Sequence, residues 1–312
     1  MDVKRAWSRI LAPAFCIAAA CIVATGAAGC RPQEQGRRFA VSFQVMNNPF
    51  FVDLEAGLRE VIEAHGDRLV TLDAQFKPDK QRNDLADVIQ QDVALIFVNP
   101  VNSEAISASL RQAKQKNIPC IIVDAPAKDT DLVACTVASD NVAAGRLAGE
   151  ALAKVRRPAK IVILHHSVNK ACTDRVAGFR EAIAKYPDME ILDTQEGKGN
   201  TEGGRQVMQD MLRHPVNAVF AINDPSALGA VSALEAAGKL KDVTVVTVDG
   251  SREAAAAIKA GKLHGSSAQF PREIGRKAAE KAYDYLAGKP VEKDVVVRVE
   301  LVTKDNADAF LK

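Results

Sequence analysis

Tryptophan is almost absent from the 312-residue chain, with one residue at position 7, and three tyrosines accompany eleven phenylalanines. Any aromatic platform beyond the first few residues must therefore be Phe or Tyr. Charge of one sign is lacking too: 41 basic residues face 39 acidic ones, which gives no electrostatic footprint for nucleic acid. Cysteine is sparse. After Cys16, Cys21 and Cys30 only Cys120, Cys135 and Cys172 remain, an odd number that argues against a disulfide framework. Free buried thiols are expected, with a crosslink between Cys120 and Cys135 in consecutive strands as the alternative.

A long apolar run occurs only at the start, where Lys4, Arg5 and Arg9 precede the stretch from Ile10 to Ala28, ending in Ala27-Ala28-Gly29-Cys30. A basic start, an apolar middle and small residues before a cleavage point define a signal peptide, here residues 1–29. The cysteine that follows resembles the lipobox of bacterial lipoproteins, which implies lipidation of Cys30 and anchoring to a membrane through it. An uncleaved membrane anchor is the alternative, because the run is about long enough to cross a bilayer. Cleavage before Cys30 would remove three basic residues and one acidic residue, leave the two signs in equal number, and take Trp7 with it.

From Phe39 onward, apolar strands of four to eight residues alternate with helical patterns, the signature of parallel α/β sheets. The alternation happens twice. Ala56-Gly57-Leu58-Arg59-Glu60 recurs as Ala177-Gly178-Phe179-Arg180-Glu181, and Leu72-Asp73 as Leu192-Asp193. Ile96-Phe97-Val98-Asn99-Pro100 is answered by Phe220-Ala221-Ile222-Asn223-Asp224-Pro225, and Val123-Asp124 by Val248-Asp249. Two similar α/β lobes follow. Strands are expected at Phe39 to Phe43, Ile118 to Val123, Leu132 to Val137 and Ser266 to Gln269. Helices are expected at Val142 to Val155, Arg252 to Ala260 and Ile274 to Leu286. The elements after Asp249 find no counterpart in the first half, so the chain is expected to cross between lobes more than once and to form a hinge.

The functional signal lies where strands end. Asn48-Pro49 is a helix start, because an Asn side chain accepts an orphan amide hydrogen and proline fits the first helical position. That puts Phe50 and Phe51 in the first turn, at the strand end where open parallel sheets keep their ligand crevice. A hydrophobic staple is the structural alternative. Asp124, Asn223, Asp224, Asp249 and Gln269 each follow an apolar strand, and Arg175 sits near the start of the helix that repeats the one after Asn48. Capping explains any one of these residues. Converging from two facing lobes, they supply carboxylates, amides, a guanidinium and aromatic faces, an inventory suited to a neutral polyhydroxy compound.

Over essentially the whole chain after the leader, the sequence resembles the type I periplasmic solute-binding proteins of the ribose-binding group. The resemblance is carried by Asn47-Asn48-Pro49-Phe50-Phe51, Ala138-Ser139-Asp140-Asn141, Val219-Phe220-Ala221-Ile222-Asn223-Asp224, Asp249-Gly250, and Ala268-Gln269 before Pro271. It implies an α/β fold of two Rossmann-like lobes with parallel sheets and a multi-segment hinge. Lobe 1 would comprise residues 39–139 plus 270–296, lobe 2 residues 140–269 plus 297–312, and residues 30–38 a lipidated linker. Sugar contacts carry over to Asn48, Phe50, Phe51, Asp124, Arg175, Asn223, Asp249 and Gln269. The resemblance further implies no enzymatic activity and no cofactor, a monomer in the periplasm or on the cell surface, and delivery of a carbohydrate to an ABC permease. The alternative is a lipid-anchored sensor that presents sugar to a chemoreceptor or kinase.

Three departures bear on the ligand. Ala125 stands where the family usually has an arginine, Gly199 where ribose binders often place a further aromatic wall, and Gln44 replaces a small polar residue at the first strand end. They place ribose itself behind other monosaccharides and sugar alcohols. Gly197-Lys198-Gly199-Asn200-Thr201-Glu202-Gly203 is similar to a dinucleotide-binding loop but has one residue too many for that pattern. His165, His166 and Cys172 are metal-capable, yet adjacent histidines on a strand point to opposite faces, so a histidine lining or flanking the cleft is expected and not a metal site. The residues before Phe39 leave no room for a DNA-binding helix-turn-helix.

Overall fold

The structure, a computed structural model, describes residues 36–311. The expected signal peptide (residues 1–29), Cys30 and residues 31–35 of the expected linker lie outside the described residues. The first half runs β1 (Arg38–Phe43), α1 (Pro49–Ala64), β2 (Arg68–Asp73), α2 (Pro78–Ile89), β3 (Leu95–Val98), α3 (Ser107–Gln115), β4 (Cys120–Val123), β5 (Cys135–Ser139) and α4 (Asn141–Val155). The second runs β6 (Ala159–His165), α5 (Lys170–Ile183), β7 (Met189–Glu196), α6 (Thr201–Met211), β8 (Ala218–Ala221), α7 (Asp224–Ala236), β9 (Thr244–Asp249), α8 (Arg252–Lys259), β10 (Gly265–Ala268) and α9 (Pro271–Leu286). Two short strands follow, β11 (Asp294–Val297) and β12 (Glu300–Val302), and then a 3-10 turn at Ala307–Phe310.

These strands form two six-stranded sheets, ordered β11-β5-β4-β3-β1-β2 and β12-β10-β9-β8-β6-β7. Position by position the orders match, and every pairing is parallel except that of β10 with β12. The fold is therefore two α/β lobes of one topology. Strand residues alternate between clusters on the two faces of each sheet, as the two-residue period requires. Phe39, Val41 and Phe43 pack on the α1 and α9 side, and Ala40 on the other. Ile161 and Ile163 are likewise separated from Val162 and Leu164. The chain passes between the sheets three times, after Ser139, after Ala268 and after Val297.

The expectation that the late elements lack counterparts is corrected. β10 occupies in the second sheet the place of β5 in the first, and the helix after each crosses to the other lobe. There α4 packs along α5, and α9 along α1. This exchange explains the repeated Ala-Gly pair. A Cβ on Gly57 would lie 2.2 Å from the Arg272 carbonyl oxygen of α9, and one on Gly178 would lie 1.9 Å from the Val142 carbonyl oxygen of α4. Only glycine permits either approach.

Some boundaries shift for local reasons. β4 starts at Cys120 and not at Ile118, because Asn117 is left-handed (φ 57°) and the Ile118 amide closes the end of α3 on the Ala113 carbonyl. A short 3-10 turn takes Thr130–Leu132, so β5 begins only at Cys135. The last helix begins at Pro271, where proline fits the first turn. The three described cysteines are free. Ile121, not Cys120, is the partner of Cys135 in the register, so the two thiols point to opposite faces of the sheet, into different clusters.

Candidate functional site

Each strand end delivers its polar group because a loop or helix cap follows at once. Asn48 accepts from the Phe50 amide (3.0 Å) and Pro49 opens α1. This fixes Phe50 and Phe51 in the first turn. Asn223 caps α7 through the Ser226 amide (3.1 Å). Asp124, just after β4, and Asp249, the last residue of β9, occupy matching places in the two sheets. Both are held at positive φ, 64° and 131°, a strained conformation for a residue with a side chain and one concentrated at binding sites.

All nine sequence-derived positions, Gln44, Asn48, Phe50, Phe51, Asp124, Arg175, Asn223, Asp249 and Gln269, line one cavity with an empty volume of about 440 Å³. It draws on both lobes. Arg175 is buried and placed by three acceptors: Nε donates to Asn141 Oδ1 (2.8 Å), and Nη1 to the Ile222 carbonyl (2.8 Å) and to Asp249 Oδ1 (3.4 Å). Gln269 Nε2 donates to the same Asp249 oxygen (2.8 Å). Across the cavity, Asn99 Nδ2 donates to Asp124 Oδ2 (3.0 Å), and Asn99 Oδ1 receives the Gln44 amide (3.2 Å).

The aromatic pair is both wall and core. Phe51 meets Phe43 at 5.7 Å and the edge of Phe50 at 5.2 Å between ring centres, inside the lobe 1 cluster, while both rings border the cavity. Asn223 lines the cavity with its amide already engaged at both ends, since Nδ2 donates to the Gly199 carbonyl (2.8 Å). Asp224, also expected at this strand end, turns inward to accept from the Ser251 amide (2.7 Å) and Ser266 Oγ (2.8 Å).

Burial sets the electrostatics. It raises the Asp124 carboxyl to about 6, with Arg175 opposing the rise and Asp249 adding to it. Asp249 and Asp224 are both raised, by burial and, for Asp224, by the charge of its neighbour. Cys172, also on the cavity wall, is pushed up to about 12 by burial and is inert as a nucleophile.

Nine buried side-chain atoms among the described residues lack a hydrogen-bond partner, and four belong to this cavity: Gln44 Oε1, Asp124 Oδ1, Gln269 Oε1 and His166 Nε2. Buried polar groups are nearly always bonded, so these four atoms are open to hydrogen bonds from whatever occupies the cavity. Phe76, Asn169 and Cys172 join the lining without having been singled out as ligand contacts. Phe76 follows β2 in a left-handed turn (φ 55°), its amide on the Gln44 carbonyl (2.7 Å). It is apolar and lies beyond the end of β2 at Asp73, so a search for polar strand ends does not reach it. Asn169 caps α5 as Asn48 caps α1.

A cleft between two such lobes, lined at the strand ends of both, has the architecture of a two-lobed ligand-binding protein, and comparison with known proteins agrees. Residues 39–290 match the periplasmic binding protein domain, and the chain belongs to that family. The ribose import binding protein RbsB of Salmonella typhimurium is 38% identical over 85% of this chain and 90% of its own length. A xylitol-binding protein of Mycolicibacterium smegmatis is 28% identical over 93% of this chain and 84% of its own. Among solved structures, an ABC transporter solute-binding protein from Bacillus halodurans C-125 with bound myo-inositol superposes with a TM-score of 0.82 at 27% identity. It covers 89% of this chain and 99% of that one.

Proposed function

We propose that this protein captures a monosaccharide or sugar alcohol between its lobes and delivers it to an ABC permease, without chemical change. The observation that carries the reading is the set of unpartnered acceptors, Gln44 Oε1, Asp124 Oδ1 and Gln269 Oε1, facing one cavity beside Phe50 and Phe51. Acceptors of this kind take hydroxyl hydrogens, and aromatic faces cover the C–H side of a ring or chain. Arg175, Asn48, Asn223 and Asp249 complete the contacts. The relatives named for ribose and xylitol, and the neighbour with myo-inositol, support the ligand class. Ala125, Gly199 and Gln44 separate this cavity from the ribose pattern.

The test is a thermal-shift screen with D-ribose, D-galactose, xylitol and myo-inositol, extended to further pentoses, hexoses and polyols. A ligand present at 100 times its dissociation constant stabilises the fold by about 2.7 kcal/mol. If no member of the panel shifts the melting temperature, the reading fails. The same reading places the protein outside the cytoplasmic membrane as a monomer anchored by a lipidated Cys30. Mass spectrometry of the membrane fraction is expected to find an acylated N-terminal Cys30, lost in Cys30→Ala. A wild-type product cleaved elsewhere and free of lipid excludes the anchor.

A further inference from the structure

His166 follows β6 directly, and its ring stands against the one stretch of cavity wall that has no side chain. A Cβ added at Gly199 would lie 3.6 Å from His166 Cδ2 and 3.7 Å from His166 Cγ. Gly199 is left-handed (φ 64°), so it is suited to remain bare. The imidazole therefore lies beside Gly199, at ordinary contact distance from the place a side chain there would take.

The ring is fixed from behind. Nδ1 lies 3.0 Å from Glu196 Oε1, and the other oxygen of Glu196 accepts from the Ser167 amide and Ser167 Oγ, both at 2.9 Å. Partial burial works against the Glu196 charge, but these hydrogen bonds hold its carboxyl below the usual range. An ionised carboxylate can only accept, so Nδ1 carries the hydrogen and Nε2 is the ring nitrogen left for a ligand. That Nε2 is buried, has no partner and belongs to a cavity-lining residue.

We infer that His166 is a ligand-binding residue that flanks with its ring the face left open at Gly199 and hydrogen-bonds a ligand hydroxyl through Nε2. The inference rests on the sugar-binding reading and sharpens it: the ligand presents a hydroxyl, and not a bare C–H face, to the wall formed by β6 and the loop after β7. A phenyl wall there would reward an apolar ring face, whereas this imidazole rewards a hydroxyl.

The experiment measures, by calorimetry, the affinity of wild type, His166→Ala and His166→Phe for the panel sugar that most stabilises wild type, with ligand-free melting curves for each. His166→Ala loses ring and hydrogen-bonding nitrogen and is expected to bind about tenfold to a hundredfold more weakly; His166→Phe keeps a ring and loses the nitrogen, for a drop of about tenfold. Ligand-free melting temperatures are expected to stay close to wild type. Unchanged affinity in His166→Ala overturns the inference, and wild-type affinity in His166→Phe overturns the hydroxyl contact. Should His166→Ala not fold, His166→Phe decides alone. A wild-type protein that no panel sugar stabilises overturns the sugar-binding reading and this inference together. Wild-type binding with indifferent variants overturns only the inference.

Discussion

Arg175 Nη1 and Asp249 Oδ1 lie 3.4 Å apart with both side chains buried, and Gln269 Nε2 approaches the same oxygen at 2.8 Å. The carboxylate is thus held between a cation from α5 and an amide after β10, while its other oxygen accepts from the Asp224 amide at 3.4 Å. Asp249→Ala is expected to weaken sugar binding by about tenfold to a hundredfold, since hydrogen bonds to charged groups contribute roughly 1.5–3 kcal/mol. Two opposing effects limit the change in stability. Arg175 loses a counter-charge, and Asp224 loses a buried like charge. Calorimetry on a variant shown to be folded checks this; unaltered affinity would contradict the site.

Phe51→Ala is expected to lower both affinity and the ligand-free melting temperature. Burial within the Phe43 and Phe50 cluster makes a large-to-small change there worth about 3–5 kcal/mol of stability, because only 3% of the residue is exposed. The sequence suggests a choice between a cleft wall and a structural staple, and the geometry gives the ring both duties. Loss of stability with full affinity would remove Phe51 from the wall.

Binding and stability should respond to pH in opposite directions. The Asp124 carboxyl titrates at about 6 in the fold, above its ordinary value of about 3.9, because burial disfavours its charge. A raised acid adds stability that is complete below the unfolded value and lost as pH rises through 6, so the ligand-free protein gains stability from this group between pH 7 and pH 4. Oδ2 already accepts from Asn99, so the added proton falls to Oδ1, the oxygen facing the cavity. Affinity should therefore fall below pH 6, and Asp124→Asn should flatten that part of the profile. Parallel trends in affinity and stability would refute the assignment.

Lobe closure is the fourth expectation. With three connections between the sheets and a cavity drawn from both, saturating ligand should reduce the radius of gyration in small-angle scattering, as in other hinged domains. An unchanged radius would count against capture by closure.

How far the sequence reveals this site depends on how local each signal is. Strand ends and helix starts are local, so Asp124, Asp249 and the Asn48-Pro49 start can be read directly, and the internal repeat exposes two lobes. Relations across the fold are not local. The exchange of α4 and α9 leaves only an unexplained Ala-Gly pair in the sequence, whose meaning requires the facing helix backbone. Phe76 hides in a polar turn, and the bearing of His166 on Gly199 joins residues 33 positions apart through two strand ends. The register that separates Cys120 from Cys135 is equally invisible until β4 and β5 are paired.

The placement of α9 and β11 governs the order in which the molecule can be completed. Residues 271–297 supply the first lobe with the helix that covers α1 and with the strand that shields β5. As the chain leaves the ribosome, the amino-terminal lobe therefore stays unfinished until almost everything after it has been synthesised. In its place is a nascent chain with an open sheet edge and an uncovered apolar helix, the features that invite misassociation. Such a chain is held back from early collapse into a finished domain, and it depends on whatever keeps unfinished polypeptides apart until residues 271–297 emerge.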